Sequence, residues 1–367
     1  METVVETPLQ TEHLHRLTDD TGIFQHTKFG IPDRSKGYTT DDNARALIAA
    51  VMLYKTKRDS RSLNLIYTYL SFVHHAQNED GSFRNFMDYN RLFVEERGSE
   101  DCFGRCLWAI GYTLSEPSVP DNVQNTCRYM LNKALPNVTN LNSPRAMAYA
   151  IVGLCYLLET PDATTYTFPY PYVEEEIAAA GFLPRETIVG FVRELAYRLQ
   201  MQYDCNKEAA WQWFENNITY SNAMLPWALF KASRVCGSVD FQDVAKESLG
   251  FLASLTFSDQ GYFKPVGSHG WLLRDGEAAL YDEQPIEACE MLLACREAFA
   301  ILGDQTYLIL ASQCFEWFHG HNSLNQSLVD PQTGGCYDGI HSVGLNLNQG
   351  SESVISYCIA HLVMNDA

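Results

Sequence analysis

Apolar residues along the chain fall into two kinds of helical run. In the first kind they cover nearly every face, as in Ala44–Leu53, Leu107–Leu114 and Ala146–Leu158. A helix of that kind is buried on all sides. Six such runs share one opening: a capping residue, then an acid, amide or proline, then Ala- and Leu-rich sequence. They begin at Thr40-Asp41-Asp42-Asn43-Ala44, Ser99-Glu100-Asp101-Cys102, Ser143-Pro144-Arg145-Ala146, Ser221-Asn222-Ala223, Tyr281-Asp282-Glu283-Gln284 and Ser351-Glu352-Ser353. A Ser or Thr there accepts a hydrogen bond from a free N–H of the first turn. Pro144 stands where a missing N–H costs nothing.

The second kind is amphipathic and alternates with the first. It covers roughly Leu9–Leu17, Arg61–Gln77, Asn122–Leu135, Arg185–Gln202, Phe241–Leu255 and Gln305–Phe318. In one of these, Arg185, Glu186, Arg193 and Glu194 fall on a different face from Ile188, Phe191 and Leu195. Such helices are covered on one side only. Six buried helices alternating with six half-covered ones predict an all-α (α/α)6 toroid, an inner ring inside an outer ring, with residues 1–367 as a single domain.

The connections are unequal. Inner-to-outer turns are mostly short, as at Lys55–Ser60 and Cys236–Ser238. Outer-to-inner loops are mostly long: Thr18–Thr39, Asn78–Gly98, Tyr203–Tyr220, Phe257–Leu280 and His319–Gly350. All five are expected to open on the face that holds the N-termini of the inner helices. Long loops on a rigid scaffold tend to carry function. The exception is the Pro- and Tyr-rich stretch Glu159–Gly181, expected on the opposite face as an oligomer contact or an insertion.

Composition narrows the partners. Of the 367 residues 46% are hydrophobic, enough for a large core, so general disorder is excluded. A net charge of −19 with no basic stripe argues against nucleic acid. No apolar run reaches the roughly 18 residues that a membrane span needs. The 11 cysteines follow no metal spacing and lie mostly in apolar helical runs. Met1–Gln10 does not read as a secretory leader. A reducing cytoplasm is therefore the expected setting.

The loop geometry gathers Asp41, Asp42, Glu100, Asp101, Asp282, Glu283 and Glu352 at one pocket floor. Any one of them is accounted for by the helix dipole, which an acid in the first turn complements by about 0.3–1 kcal/mol. Stability does not require so many to converge. The same loops carry Trp211, Gln212, Trp213, Phe214 and Glu215, then Tyr262, Phe263 and Lys264, then His269 and Trp271. A ring beside carboxylates and amides suits a sugar, whose C–H face stacks while its hydroxyls take hydrogen bonds. Trp211, Trp213, Phe263 and Trp271 are expected to surround the pocket mouth. The alternative is that these rings pin the loops to the wall. No Walker loop, dinucleotide fingerprint, HExxH or paired CxxC is present, so neither a cofactor nor a metal is expected.

Several segments together resemble a known family. They are Gly37-Tyr38-Thr39-Thr40-Asp41-Asp42-Asn43-Ala44-Arg45-Ala46, Arg97-Gly98-Ser99-Glu100-Asp101, Tyr281-Asp282-Glu283-Gln284-Pro285, Gly334-Gly335-Cys336-Tyr337-Asp338-Gly339 and Asn348-Gln349-Gly350-Ser351-Glu352-Ser353. From about Leu14 to Leu362 the chain resembles bacterial six-hairpin glycosidase-like proteins. Members occur alone, or fused to or encoded near sugar-nucleotide glycosyltransferases. The resemblance implies the (α/α)6 fold and a carbohydrate substrate; Tyr38, Asp338 and Gln349, which lie in these segments, are expected among the binding residues.

The reaction expected first is hydrolysis of an oligo- or polysaccharide by two carboxylates, one donating a proton and one activating water. A ring of six helices about 9 Å apart is roughly 18 Å across, so acids reaching in from opposite helices stand about 8–9 Å apart, an inverting separation. Asp101 and Glu283, from the second and fifth inner helices, are the expected pair, with Asp42 and Glu352 next. An epimerase or polysaccharide lyase is the alternative and needs a base such as His269, His341 or Tyr38. A non-catalytic glycan-binding partner of a glycosyltransferase is the third reading.

Overall fold

The computed structural model describes residues 8–159 and 184–365. In chain order its helices are α1 Glu12–Leu17, α2 Thr40–Lys57, α3 Ser60–Ala76, α4 Glu100–Ser115, α5 Asp121–Ala134 and α6 Pro144–Glu159. They continue as α7 Arg185–Asn206, α8 Met224–Cys236, α9 Val239–Thr256, α10 Pro285–Leu302, α11 Thr306–Phe318 and α12 Ser351–Asn365. Even-numbered helices form the inner ring. Each packs on the next, α2 on α4, α4 on α6, α6 on α8, α8 on α10 and α10 on α12, and α12 closes the ring against α2. The fold is an (α/α)6 toroid.

Local chemistry sets these boundaries. Thr39 caps α2 by accepting from the Asp42 N–H, and Ser99 caps α4 from Cys102 N–H. Asp59 and Ser238 do the same for the outer helices α3 and α9. Gly237 and Gly303 end α8 and α10 in the left-handed conformation. Burial follows the two sequence patterns. Residues 42–51 of α2 are all buried, whereas α7 buries only Ile188, Val192, Leu195, Ala196, Leu199 and Tyr203.

The inner helices α4 and α6 approach very closely. A Cβ on Gly111 would lie 2.0 Å from the Gly153 carbonyl oxygen, so only glycine fits there. Trp108 of α4 stacks on Tyr149 of α6 at 5.7 Å and meets Trp227 of α8 edge-on at 5.6 Å. These three rings join neighbouring inner helices into one core.

The long loops are not wholly irregular. They form four two-stranded antiparallel ladders, which helical periodicity gave no reason to expect. These are β1 Thr27–Lys28 with β2 Ile31–Pro32, β3 Tyr38–Thr39 with β4 Phe86–Met87, β5 Asn217–Ile218 with β6 Leu272–Leu273, and β7 Gly339–His341 with β8 Gly344–Asn346. Two ladders join different loops. Thr39 pairs with Phe86, and Asn217 with Leu273. The loops thereby form a braced collar on the face bearing the inner-helix N-termini. The Pro- and Tyr-rich stretch after Glu159, expected on the opposite face, lies outside the described residues.

Candidate active site

A cavity of about 380 Å3 opens within that collar. It brings together five of the expected carboxylates, Asp41, Asp42, Asp282, Asp338 and Glu352. Its wall also carries Arg45, Arg105, Asn85, His26 and His341.

The first turn of α2 supplies the floor. Asp42 is buried and accepts from the Thr39 hydroxyl at 2.7 Å and from Arg45 at 2.9 Å. The second arm of the Arg45 guanidinium reaches Glu352 on α12 at 2.7 Å. One cation thus ties two helices and two acids together. Burial pushes the Asp42 carboxyl up, and the Glu352 charge adds to this against the pull of Arg45. Beside it, Asp41 meets Arg105 of α4 at 3.1 Å and accepts from the Asn85 side-chain amide at 3.0 Å.

Asp338 precedes β7 and has a different environment. Its carboxylate accepts from the Gly350 N–H at 2.6 Å, and no lysine or arginine pairs with it among the described residues. Burial raises its pKa, with a smaller push from Glu352, against the Gly350 and Ser353 hydrogen bonds. Glu352 keeps a side chain 44% exposed, the most open of the acids ion-paired in the cavity.

Asp282 and Glu283 part company. Asp282 takes φ +65°, a left-handed conformation uncommon for a residue with a side chain. Both residues donate backbone N–H groups to the Ile340 carbonyl, at 2.9 and 3.0 Å. Asp282 lines the cavity, accepts from Ser268 and lies 3.5 Å from His341 Nδ1. Glu283 turns outward, where it accepts from Trp317 Nε1 of α11 at 3.0 Å and from Ser323 at 2.6 Å. It is 1% exposed and does not line the cavity.

The expected Asp101–Glu283 pair is therefore corrected. Asp101 is also taken up in structure, accepting from Ser143 at 2.7 Å and Tyr220 at 2.6 Å. Glu100 accepts from the backbone N–H groups of Asn142 and Ser143, both at 2.6 Å, which open α6. Burial opposes its ionisation, but these bonds hold its carboxyl below the usual range. The inverting geometry rested on Asp101 and Glu283 and is not carried forward.

The expected aromatic rim is corrected as well. Trp211, Trp213 and Phe263 are buried. Trp211 donates to the Glu215 carbonyl at 2.7 Å and packs on Phe251 of α9, and Phe263 packs on Phe257. Glu215 pairs with Arg145 at 2.8 Å. These rings pin loops to the outer helices. Trp271 is half-buried and His269 exposed, and neither lines the cavity. Lys264 is half-buried on the same side as Glu283. Tyr38 is buried, stacked on Phe24 at 4.7 Å, with its hydroxyl on Asp19. Gln349 is buried and its carbonyl accepts from His13. None of these lines the cavity.

Sequence reasoning missed the cations and the second layer. Arg45 sits in a run read as apolar and Arg105 just ahead of another, yet an arginine in a helix buried all round must find acids. Below them, Arg105 lies over the Tyr149 ring at 4.8 Å. The Tyr149 hydroxyl donates to Glu290 of α10 at 2.9 Å. Glu287, one turn earlier, accepts from Ser221 N–H at 2.5 Å and Asn222 Nδ2 at 2.9 Å. Burial and the neighbouring Glu287 push Glu290 up to about 8, against the Tyr149 bond. Two acids three apart inside an all-apolar run were the available signal.

Comparison with solved structures places the fold. The chain superimposes on cellobiose 2-epimerase from Bacillus thermoamylovorans with a TM-score of 0.69, at 10% identity over 96% of this chain and 95% of that one. A sugar epimerase from a ruminal bacterium gives 0.66 at 12% identity, over 97% and 95%. A family 76 α-mannanase from Bacteroides thetaiotaomicron gives 0.59 at 10% identity, over 97% and 96%. The sequence matches no protein-family model and no curated protein.

Proposed function

We propose that the chain is a carbohydrate-active enzyme, and specifically a glycoside hydrolase that uses Asp338 as proton donor and Glu352 as base. The observation that carries this is the contrast between two acids of one cavity. Asp338 is half-buried, raised in pKa and, among the described residues, without a lysine or arginine partner, while Glu352 is ion-paired to Arg45 with its side chain 44% exposed. Environments that separate two carboxyls assign them opposite roles. Asp338 gives its proton to the glycosidic oxygen as the bond to the anomeric carbon breaks. Glu352 takes a proton from water, whose oxygen bonds to that carbon. Asp41, Asp42 and Asp282 accept from sugar hydroxyls, and Arg45 and Arg105 hold the acids in place. The cavity falls within the roughly 300–1,000 Å3 of small-molecule sites, which suits the end of a saccharide rather than a long strand.

The second reading is an epimerase or isomerase. It is favoured by the His341–Asp282 juxtaposition at 3.5 Å, with His26 on the same wall, and by epimerases among proteins of similar fold. In that chemistry His341 removes a proton from a sugar carbon.

The test is product analysis by NMR on a panel of neutral oligosaccharides. Hydrolysis by direct attack of water releases a new reducing end whose first-formed anomer is inverted, and retention would overturn these roles for Asp338 and Glu352. An epimerised product of unchanged length would replace this reading with the second. Binding without turnover across the panel would favour a glycan-binding partner of another enzyme.

A further inference from the structure

Phe86 stands out on the cavity wall. Among the described residues it is the one Phe, Tyr or Trp lining the acidic cavity, and it is 44% exposed. It makes no ring–ring or cation–ring contact among the described residues and lies outside the hydrophobic core. A large apolar side chain left bare beside a site is informative in a way a scattered surface residue is not.

Its backbone, in contrast, is fixed on every side. Phe86 pairs with Thr39, the cap of the helix that carries Asp41 and Asp42. Its carbonyl accepts from the Val94 N–H at 3.0 Å. Its N–H donates to Glu95 at 3.1 Å, and the same oxygen takes the Asn85 N–H at 2.6 Å. Asn85 in turn donates to Asp41 at 3.0 Å and accepts from the Asp41 N–H at 3.1 Å. A ring carried on such a strand is held in register with the carboxylates while its own surface stays free. That arrangement loses little ordering entropy when a ligand stacks on it.

We infer that Phe86 is a stacking platform for a second sugar unit, so that the substrate is at least a disaccharide with one unit in the acidic cavity and the next on this ring. The inference rests on the carbohydrate reading above. The terminal unit is held by carboxylates and amides. The following unit presents its C–H face to Phe86, which accounts for an apolar ring at the edge of a largely polar wall.

The experiment compares binding of paired ligands, methyl β-glucoside with cellobiose and methyl α-mannoside with α-1,6-mannobiose, by saturation-transfer NMR and calorimetry. It uses the wild type, Phe86→Ala and Phe86→Trp. Aromatic contact of this kind contributes up to about a factor of ten, so Phe86→Ala should weaken the bound disaccharide by about that much. The matching monosaccharide should change by less than about twofold, and Phe86→Trp should hold or improve the disaccharide. Equal weakening of both ligands, or none, would overturn the inference and leave the carbohydrate reading intact. Failure of every sugar to bind the wild type would overturn both. A Phe86-dependent disaccharide that binds but is never turned over would sink the hydrolase reading alone. Because Phe86 is exposed, thermal denaturation of each variant should match the wild type.

Discussion

The two ends of the inner ring carry buried charge in different proportions. At the cavity end five carboxylates, Asp41, Asp42, Asp282, Asp338 and Glu352, face two guanidinium groups, Arg45 and Arg105. At the other end, among the described residues, Lys231 and Arg234 of α8 meet Glu159 of α6 and Glu297 of α10, two cations against two acids. Lys231 is buried, 2.9 Å from Glu159 and 3.3 Å from Glu297, and its ammonium lies 3.8 Å from the Tyr156 ring. Arg234 reaches the same two acids. Both ends use helix termini. At the C-terminal end of α8 the dipole favours the cations. Among the described residues the balanced cluster pairs its charges within itself and knits three helices. The unbalanced one leaves acids in excess of their partners beside an opening, a strain that stability alone does not call for.

The largest effect expected from this contrast is at Asp338. Asp338→Asn should lower kcat on a turned-over saccharide by about 10²–10⁴, the usual contribution of a positioned proton donor, while leaving the melting temperature close to wild type. The pH profile sharpens the claim. Asp338 must be protonated to act and its pKa is raised, so on the alkaline limb activity should fall as pH rises through that raised pKa. A variant that keeps full activity, or a wild type whose rate climbs on that limb, would remove Asp338 from the role.

At the balanced end the expected effect is on folding alone. Lys231→Met leaves Glu159 and Glu297 without their buried partner. Breaking such a pair costs about 3–5 kcal/mol, and the lower end applies here because Arg234 remains and Glu159 is a third exposed. Urea denaturation should show the loss, while disaccharide affinity stays unchanged. A large loss of binding with little loss of stability would erase the distinction between the two ends.

The Glu290 layer lies between them and should respond to pH. Its pKa is raised from 4.5 to about 8 by burial and by Glu287, so the folded state holds a proton that the unfolded state releases across that window. Stability should therefore fall as pH rises from about 4.5 to 8, by at most about 1.4 kcal/mol per unit for one group. Glu290→Gln keeps the shape and the acceptor for Tyr149 and removes this slope. Denaturation curves at pH 5 and 8 that fall equally in both proteins would show that another group carries it.

The ring was legible in the sequence because every helix stated its own surroundings. Ala44–Leu53 is apolar on all faces and is an inner helix, while α7 keeps Arg193 and Glu194 away from Leu195. The loops were harder, since their order depends on contacts between distant segments such as Thr39 with Phe86. Glu283 was misplaced although Pro285 marked the true start of α10: proline fits the first helical position, which leaves Asp282 and Glu283 ahead of the cap. Trp211 and Trp213 were judged by polar neighbours. Both indoles instead pack against Phe251 of α9. Arg45 and Arg105 were hidden by their apolar surroundings, which are the reason they need acids.

The smallest expected effect separates the two enzyme readings at one residue. His341 stands at the hairpin of β7 and β8 with its side chain 41% exposed, and its Nδ1 is 3.5 Å from Asp282, longer than a good hydrogen bond. Under hydrolysis it touches a hydroxyl of the sugar at most. Replacing it with Gln keeps a polar group of similar reach, so KM should rise by less than about tenfold and kcat should hold, the mark of binding lost equally from ground and transition states. Under epimerisation the same imidazole moves the proton on carbon, and His341→Gln should lower kcat by about 10²–10⁴. The comparison is cleanest beside Asp338→Asn on one substrate. A protein that tolerates His341→Gln but not Asp338→Asn is working by its carboxylates. The reverse pattern would move the chemistry to the histidine and leave Asp338 as a hydroxyl acceptor.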